Sequence, residues 1–342
     1  MNSLERVFNS VQGKPVDRRP ISLTLSLYGA RLTKCPLEEY YSRSEAYIEG
    51  QIAVKETFDP DILFGPFALV REAEAFGSQS IFLKDYPPNL KTPAVTSGQD
   101  VSQLNIPDID SHPRLLYIRE SIQALASQFA NEKAIAGILM SPTDMPALIM
   151  GIETWLDTLL FHEKTASQML DLTSRYFIQW ANSLFAAGAH IIVLPLMFCN
   201  PGIITEKIIQ KKIIPLLMDV FKEIQGPIVC HHGGARLSPF IEYFSSLPNI
   251  AAFLLDSRDN FSEARSKIGD QQVLMGNIDG PGLAKLTTNE ITHKCTEILR
   301  DRQNDPHFIL GTSNADIMLS TPPENIHAIF QSVKEFQKEM DS

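Results

Sequence analysis

Cysteine is scarce in this chain. Four are present, Cys35, Cys199, Cys230 and Cys295, far apart and with no Cys-x-x-Cys. That excludes a disulfide-built scaffold and makes a reducing cytoplasm the expected location. Basic runs are absent too, and the formal net charge is -10. A surface of that sign repels phosphate, so no nucleic-acid partner is expected. No apolar run approaches the ~20 residues that span a bilayer; the longest is Ile191 to Phe198. The opening, Met1 to Arg6, lacks the apolar stretch of a secretion signal, and no membrane partner is expected. A Gly-x-Gly-x-x-Gly after the first apolar run and a P-loop are both missing, which counts against an open nucleotide-binding sheet.

What is present reads as an α/β protein. The 342 residues are 44% hydrophobic and 20% charged, ordinary values for a globular chain with a large core. Eight short apolar runs recur: Ile21–Leu27, Asp61–Phe67, Ala134–Met140, Ile191–Phe198, Ile228–His232, Ala251–Asp256, Gln272–Asp279 and Phe308–Asn314. Most are continuously apolar, the pattern of strands buried on both faces. Helical patterns separate them, at 37–58, 144–187, 205–225, 262–268, 290–301 and 323–338. Alternation of this kind predicts a single (β/α)8 TIM barrel over residues 1–342. An amphipathic helix with Leu4, Val7, Phe8 and Val11, capped by Ser3, should close the barrel bottom. Thr321 is expected to cap the last helix. Residues 68–133 are too many for one loop and predict an insertion after the second strand, a small hairpin followed by a helix from His112 to Phe129.

Catalytic groups of such barrels sit at the C-terminal strand ends. The fifth run ends in Cys230-His231-His232-Gly233-Gly234. Alternation along a strand puts Cys230 and His232 on one side and turns His231 toward the helices. A thiolate beside an imidazole is half of a zinc site, and Asp256 could add a third ligand. Equally, Cys230 could be core packing and His232 a hydrogen-bonded core histidine. Asn314 or Asp316 would complete the metal site or touch substrate. Asp279 and Asn277 are candidate catalytic groups, Asp279 being as readable as a turn cap. Tyr28, Phe64 and Met197 fall near strand ends as substrate contacts, in a mouth rich in aromatic residues and methionine. Arg236 and Arg258 lie just beyond strand ends, to hold an anion or to form surface ion pairs.

Several segments together resemble the uroporphyrinogen decarboxylase superfamily. They are Glu5-Arg6-Val7-Phe8, Gly13-Lys14-Pro15-Val16-Asp17-Arg18-Arg19-Pro20, Leu274-Met275-Gly276-Asn277-Ile278-Asp279 and Thr321-Pro322-Pro323-Glu324-Asn325-Ile326. The resemblance implies a (β/α)8 barrel. The family's decarboxylases carry an Arg-Gln-Ala-Gly-Arg loop after the first strand that grips carboxylates. Here Ser26 to Leu32 stands in its place, with Arg31 alone as a cation. The corrinoid-linked methyltransferases of the family bind zinc through His-x-Cys-Gly on strand five and a cysteine after strand eight. In this sequence Cys230-His231-His232-Gly233 looks like that motif with its ligand types exchanged. Asp256 matches an acidic position, and Asn314 stands where the last cysteine would fall.

The resemblance thus implies Zn2+ on Cys230, His232 and Asp256, and cobalamin on a partner corrinoid protein. The implied reaction moves a methyl group from a small donor, such as a methoxylated aromatic, to that cobalamin. Transfer to a coenzyme M-type thiol and decarboxylation are the alternatives. A homodimer is left open.

Overall fold

The computed structural model describes residues 1–96 and 98–342, the side chains of residues 98–100 and 341 excepted. Among the described residues ten strands occur in chain order: β1 Ile21–Ser22, β2 Ile62–Phe64, β3 Gln79–Ile81, β4 Asn89–Thr92, β5 Ala134–Ile138, β6 Ile191–Pro195, β7 Ile228–His231, β8 Ile250–Leu254, β9 Val273–Asp279 and β10 Phe308–Ser313. All but β3 and β4 form one sheet, in the order β1-β10-β9-β8-β7-β6-β5-β2, and every pairing in it is parallel. Asp61 closes the remaining seam: its N–H donates to the Ile21 carbonyl at 3.1 Å, and its Oδ2 accepts from the Ile21 N–H at 2.8 Å. The result is the (β/α)8 barrel that the eight buried runs predict.

Strand alternation feeds two apolar cores. One fills the lumen and includes Val7, Phe64, Val193, Val229, Leu254, Met275 and Ile309. The other lies between strands and helices and includes Leu194, Ile228, Cys230, Phe253 and Leu274. Each large side chain so buried contributes ~1.5–3 kcal/mol relative to exposure.

Each expected run overlaps one barrel strand, β8 beginning one residue early at Ile250, and several strands stop short. At the mouth their continuing backbone bonds to side chains instead of to a neighbouring strand. Thr24 N–H donates to Thr312 Oγ1 at 2.9 Å, Leu27 N–H to Asp316 Oδ1 at 2.9 Å, and Phe67 N–H to Ser26 Oγ at 2.9 Å. The insertion after β2 holds the antiparallel pair β3 and β4 and then a helix, Pro113–Phe129.

The N-terminal helix, Ser3–Val11, is capped by Asn2 rather than Ser3. Asn2 Oδ1 accepts from Glu5 N–H at 2.8 Å, and Glu5 accepts from Asn2 N–H at 2.9 Å. This reciprocal pair satisfies two donors that the first helical turn leaves free. From that helix Arg6 reaches the fully buried Asp61 at 2.6 Å, which Arg18 also grips, at 2.7 Å. Thr321 does not cap the last helix, Pro323–Asp341, which has no side-chain cap. Its carbonyl instead accepts from Tyr28 Oη at 2.7 Å. Among the described residues no helix is long and apolar enough to cross a membrane.

Candidate active site

A cavity of about 820 Å³ opens at the C-terminal ends of the barrel strands. Phe67, Met140, Pro195 and Met197 give it apolar walls, and His231, Asp256, Arg258, Asp279, Asn314 and Asp316 supply its polar groups. Tyr86, Pro87 and Pro88, between β3 and β4, form part of its rim. This volume and lining suit a small, largely apolar ligand.

The phase of β7 decides the chemistry. Val229 packs in the lumen core and Cys230 in the outer one. His231 therefore faces the lumen and lines the cavity, and Cys230 is turned away, fully buried. This reverses the facing expected from the sequence. The buried runs are apolar on both sides, so alternation alone gives them no phase. Burial pushes the Cys230 thiol far up, holding it as a neutral packed group. Two residues beyond His231 the chain has Gly233, which offers no side chain. Its φ of +64° and the closeness of the Leu196 carbonyl require glycine.

His232 is buried beneath His231, their rings stacked 4.4 Å apart. Its Nε2 accepts from Asn314 N–H at 2.9 Å. Its Nδ1 lies 2.9 Å from Gly234 N and 3.3 Å from Asp256 Oδ2. Both nitrogens are thus occupied inside the protein. Burial lowers the pKa of both imidazoles, His231 the further, with His232 adding to its shift. Asp256 is gripped by Arg258 through two bonds, 2.6 and 2.9 Å. Burial works to raise this carboxyl, but Arg258 holds it below the usual range.

Asn314 adopts φ 72° and donates through Nδ2 to Asp279 Oδ1 at 2.7 Å. Asp316 lines the cavity, 3% exposed. Burial pushes its carboxyl up to about 7, against hydrogen bonds from the Leu27 and Ser26 backbone. Asn277 does not reach the cavity lining. Its amide donates to the Asp256 and Asp259 carbonyls, at 3.0 and 3.1 Å, and so fixes the loop after β8.

Two expected substrate contacts are structural. Tyr28 is fully buried and bonded to Thr321, and Phe64 lies in the lumen core. Met197 does line the cavity, with its N–H held by Asp144 Oδ2 at 2.7 Å. Burial pushes Asp144 up to about 6. Met140 is held similarly, its N–H donating to Glu72 Oε1 at 2.8 Å. Arg236 forms ion pairs with Asp259 and Glu263. Sequence reasoning missed His231 as a lumen residue, and the Asp144 and Glu72 supports carried no sequence motif.

The ligand set implied by the resemblance does not fit this arrangement. Cys230 faces the helices, both His232 nitrogens are engaged, and Asp256 is committed to Arg258. Among the described residues no group of three or more His, Cys, Asp and Glu side chains could hold a metal ion.

A family model described as Uroporphyrinogen decarboxylase (URO-D) matches residues 2–336. A methylated-thiol–coenzyme M methyltransferase of Methanosarcina mazei is 24% identical over 79% of this chain and 71% of its own length. A uroporphyrinogen decarboxylase of Paraburkholderia phytofirmans is 23% identical over 80% and 77%. A methylcobamide:CoM methyltransferase of Methanosarcina barkeri is 20% identical over 81% and 82%. Among solved structures, a methyltransferase from Methanosarcina mazei superimposes with TM-score 0.88 at 17% identity, covering 98% of this chain and 99% of that one. With a match of that length and a closed eight-stranded barrel, the chain belongs to the uroporphyrinogen decarboxylase (URO-D) family.

Proposed function

We propose that this protein is a methyltransferase, moving a methyl group between a small methylated donor and the cobalamin of a partner corrinoid protein. One observation carries the choice over decarboxylation. The single Lys or Arg among the residues lining the cavity is Arg258, and it is already paired with Asp256. Arg31, in the segment where decarboxylases grip their substrate, is bound to the Leu319 and Thr321 carbonyls. A polycarboxylate would therefore enter a cavity with three aspartates and no free cation, an arrangement that repels it. The activities that name the Methanosarcina relatives support methyl transfer as the alternative.

Each part of the cavity has a role in that reading. Phe67, Met140 and Met197 surround the methyl group and exclude water from it. The neutral His231 forms the wall on the β7 side. Asp316, titrating near 7, can hold or release a proton beside the substrate at physiological pH. Cobalamin, when the partner docks at the open mouth, would supply the metal-centred methyl acceptor. The zinc read from the sequence is no part of this proposal, because Cys230 is turned away from His232 and Asp256, whose polar atoms are already engaged.

The test is a panel of methyl donors incubated with the protein and a corrinoid protein reduced to cob(I)alamin, followed by the absorbance of methylcobalamin. At least one donor should produce it, and a thiol added to the methylated partner tests the reverse half-reaction. Decarboxylation of a porphyrinogen with every donor inert would overturn the proposal.

A further inference from the structure

Resting on the methyltransferase reading, we infer that this site works without a protein-held metal ion and takes an onium methyl donor, a quaternary ammonium or sulfonium compound. The first ground is ligand geometry. A metal at the mouth would need converging donors, and the strand that should supply two presents His231 and then Gly233, with Cys230 turned into the outer core. Asp256 is locked by Arg258. Recruiting either Cys230 or Asp256 would mean turning a strand over or exposing an arginine's buried partner.

That geometry constrains the leaving group. An ether or thioether gives up its methyl by expelling an alkoxide or thiolate, an anion that needs a Lewis acid or a proton; with no ligand set here to hold a Lewis acid, only the Asp316 carboxyl could supply the proton. An onium compound needs neither. The C–N or C–S bond breaks with its electron pair returning to nitrogen or sulfur, which leaves as a neutral amine or sulfide. The methyl carbon is taken by the electron pair of cob(I)alamin on the partner, forming the Co–C bond. No proton moves, and cobalt supplies both electrons.

The second ground is the cavity's own charge. Arg258 cancels Asp256, so Asp279 and Asp316 remain as uncompensated acidic groups among the lining residues. They stand in an apolar enclosure with Phe67 on its wall and Tyr86 at its rim. Carboxylates set among aromatic faces are the chemistry that attracts an alkylammonium cation. A neutral ether gains no charge attraction from either group.

Calorimetry with tetramethylammonium and with tert-butyl alcohol, its neutral look-alike, reads the recognition without any turnover. Tetramethylammonium should bind about tenfold tighter. Asp279→Asn and Asp316→Asn should each weaken it by roughly threefold to tenfold and leave the alcohol unaffected. Zinc measured by mass spectrometry in the purified protein should be far below one per chain, and Cys230→Ala should bind tetramethylammonium as the parent does. Equal affinity for the two probes would overturn the inference, as would stoichiometric zinc that is lost in Cys230→Ala. In the donor panel, transfer from methoxyarenes or thioethers but not from onium compounds would also sink it and leave the methyltransferase reading intact. Selective tetramethylammonium binding with every donor inert would instead keep the onium pocket and remove the transfer.

Discussion

The rings of His231 and His232 lie face to face, 20° from parallel, yet they do different work. His231 touches the cavity, and His232 accepts the Asn314 N–H and braces Asp256. His231→Ala should lower methyl transfer at least ~tenfold and cost about 1–3 kcal/mol, since its Nδ1 accepts the Gly233 N–H at 3.0 Å. His232→Ala should cost ~2–4 kcal/mol, because it leaves a buried N–H without its acceptor and opens a cavity. Steady-state rates and urea melts on both variants separate the roles. Both rings are held neutral in the folded state by burial, below the ordinary 6.5. Stability should therefore fall as pH drops below 6.5, where the unfolded chain takes up protons first.

Asp61 holds the barrel bottom. It is fully buried, accepts from Arg6 and Arg18, and bonds twice to Ile21 across the seam. Asp61→Asn should lower stability by ~3–5 kcal/mol, since it removes a buried charge shared by Arg6 and Arg18 and leaves Arg6 with the Asp17 carboxylate alone. Urea denaturation at neutral pH measures this, and a loss below 1 kcal/mol (about a fivefold change in the equilibrium) would contradict it.

Gly233→Ala tests the turn after β7. An alanine there would need φ +64° and would press its Cβ into the backbone of Leu196. Nothing flexible can yield, so we expect a loss above ~2 kcal/mol together with a displaced His231 and weakened ligand binding. Gly234 has φ +96° but open space, with no atom within 4 Å of where a Cβ would sit, and should tolerate the change better.

Glu72 provides a pH test behind the cavity wall, where it holds Met140. Burial pushes its carboxyl up to about 8, against bonds from Met140 N–H and Tyr176 Oη. Its native pKa lies above the ordinary 4.5. The stability it contributes is therefore complete below pH 4.5 and is lost as pH rises through 8. Glu72→Gln should lie close to the parent near pH 5 and exceed it by roughly 4 kcal/mol at pH 9. Chemical melts at the two pH values give the comparison.

The fold was legible because the barrel strands are buried on both faces, and the missing nucleotide-binding glycine motif counted against an open sheet with the same pattern. The residues that carried the resemblance prove to be largely structural: Arg6, Asp17 and Arg18 staple the bottom, and Asn277 fixes a loop. The site was legible only as a set of strand ends. Which side chain of Cys230-His231-His232 enters the lumen depends on barrel closure, and a slip of one residue exchanges the two faces. Phe64 does face the lumen but lies in its packed core, and Tyr28 begins a short helix, Tyr28–Thr33, outside any strand. Asp279, Asn314 and Asp316 were placed at the mouth without that ambiguity, because they lie at or beyond the ends of their strands.

The seam at Asp61 also bears on synthesis. Among the described residues β1 has its one strand partner in β10, and the bond from Thr24 to Thr312 joins residues 288 positions apart. During translation the first strand must wait for the last one to emerge before the ring can close. Until then, Asp61 and the two arginines are the attachment by which the nascent N-terminal segment can be kept beside β2. An early-synthesised staple of this kind would shorten the search for closure at the end, when the longest loop in the protein has to be drawn shut.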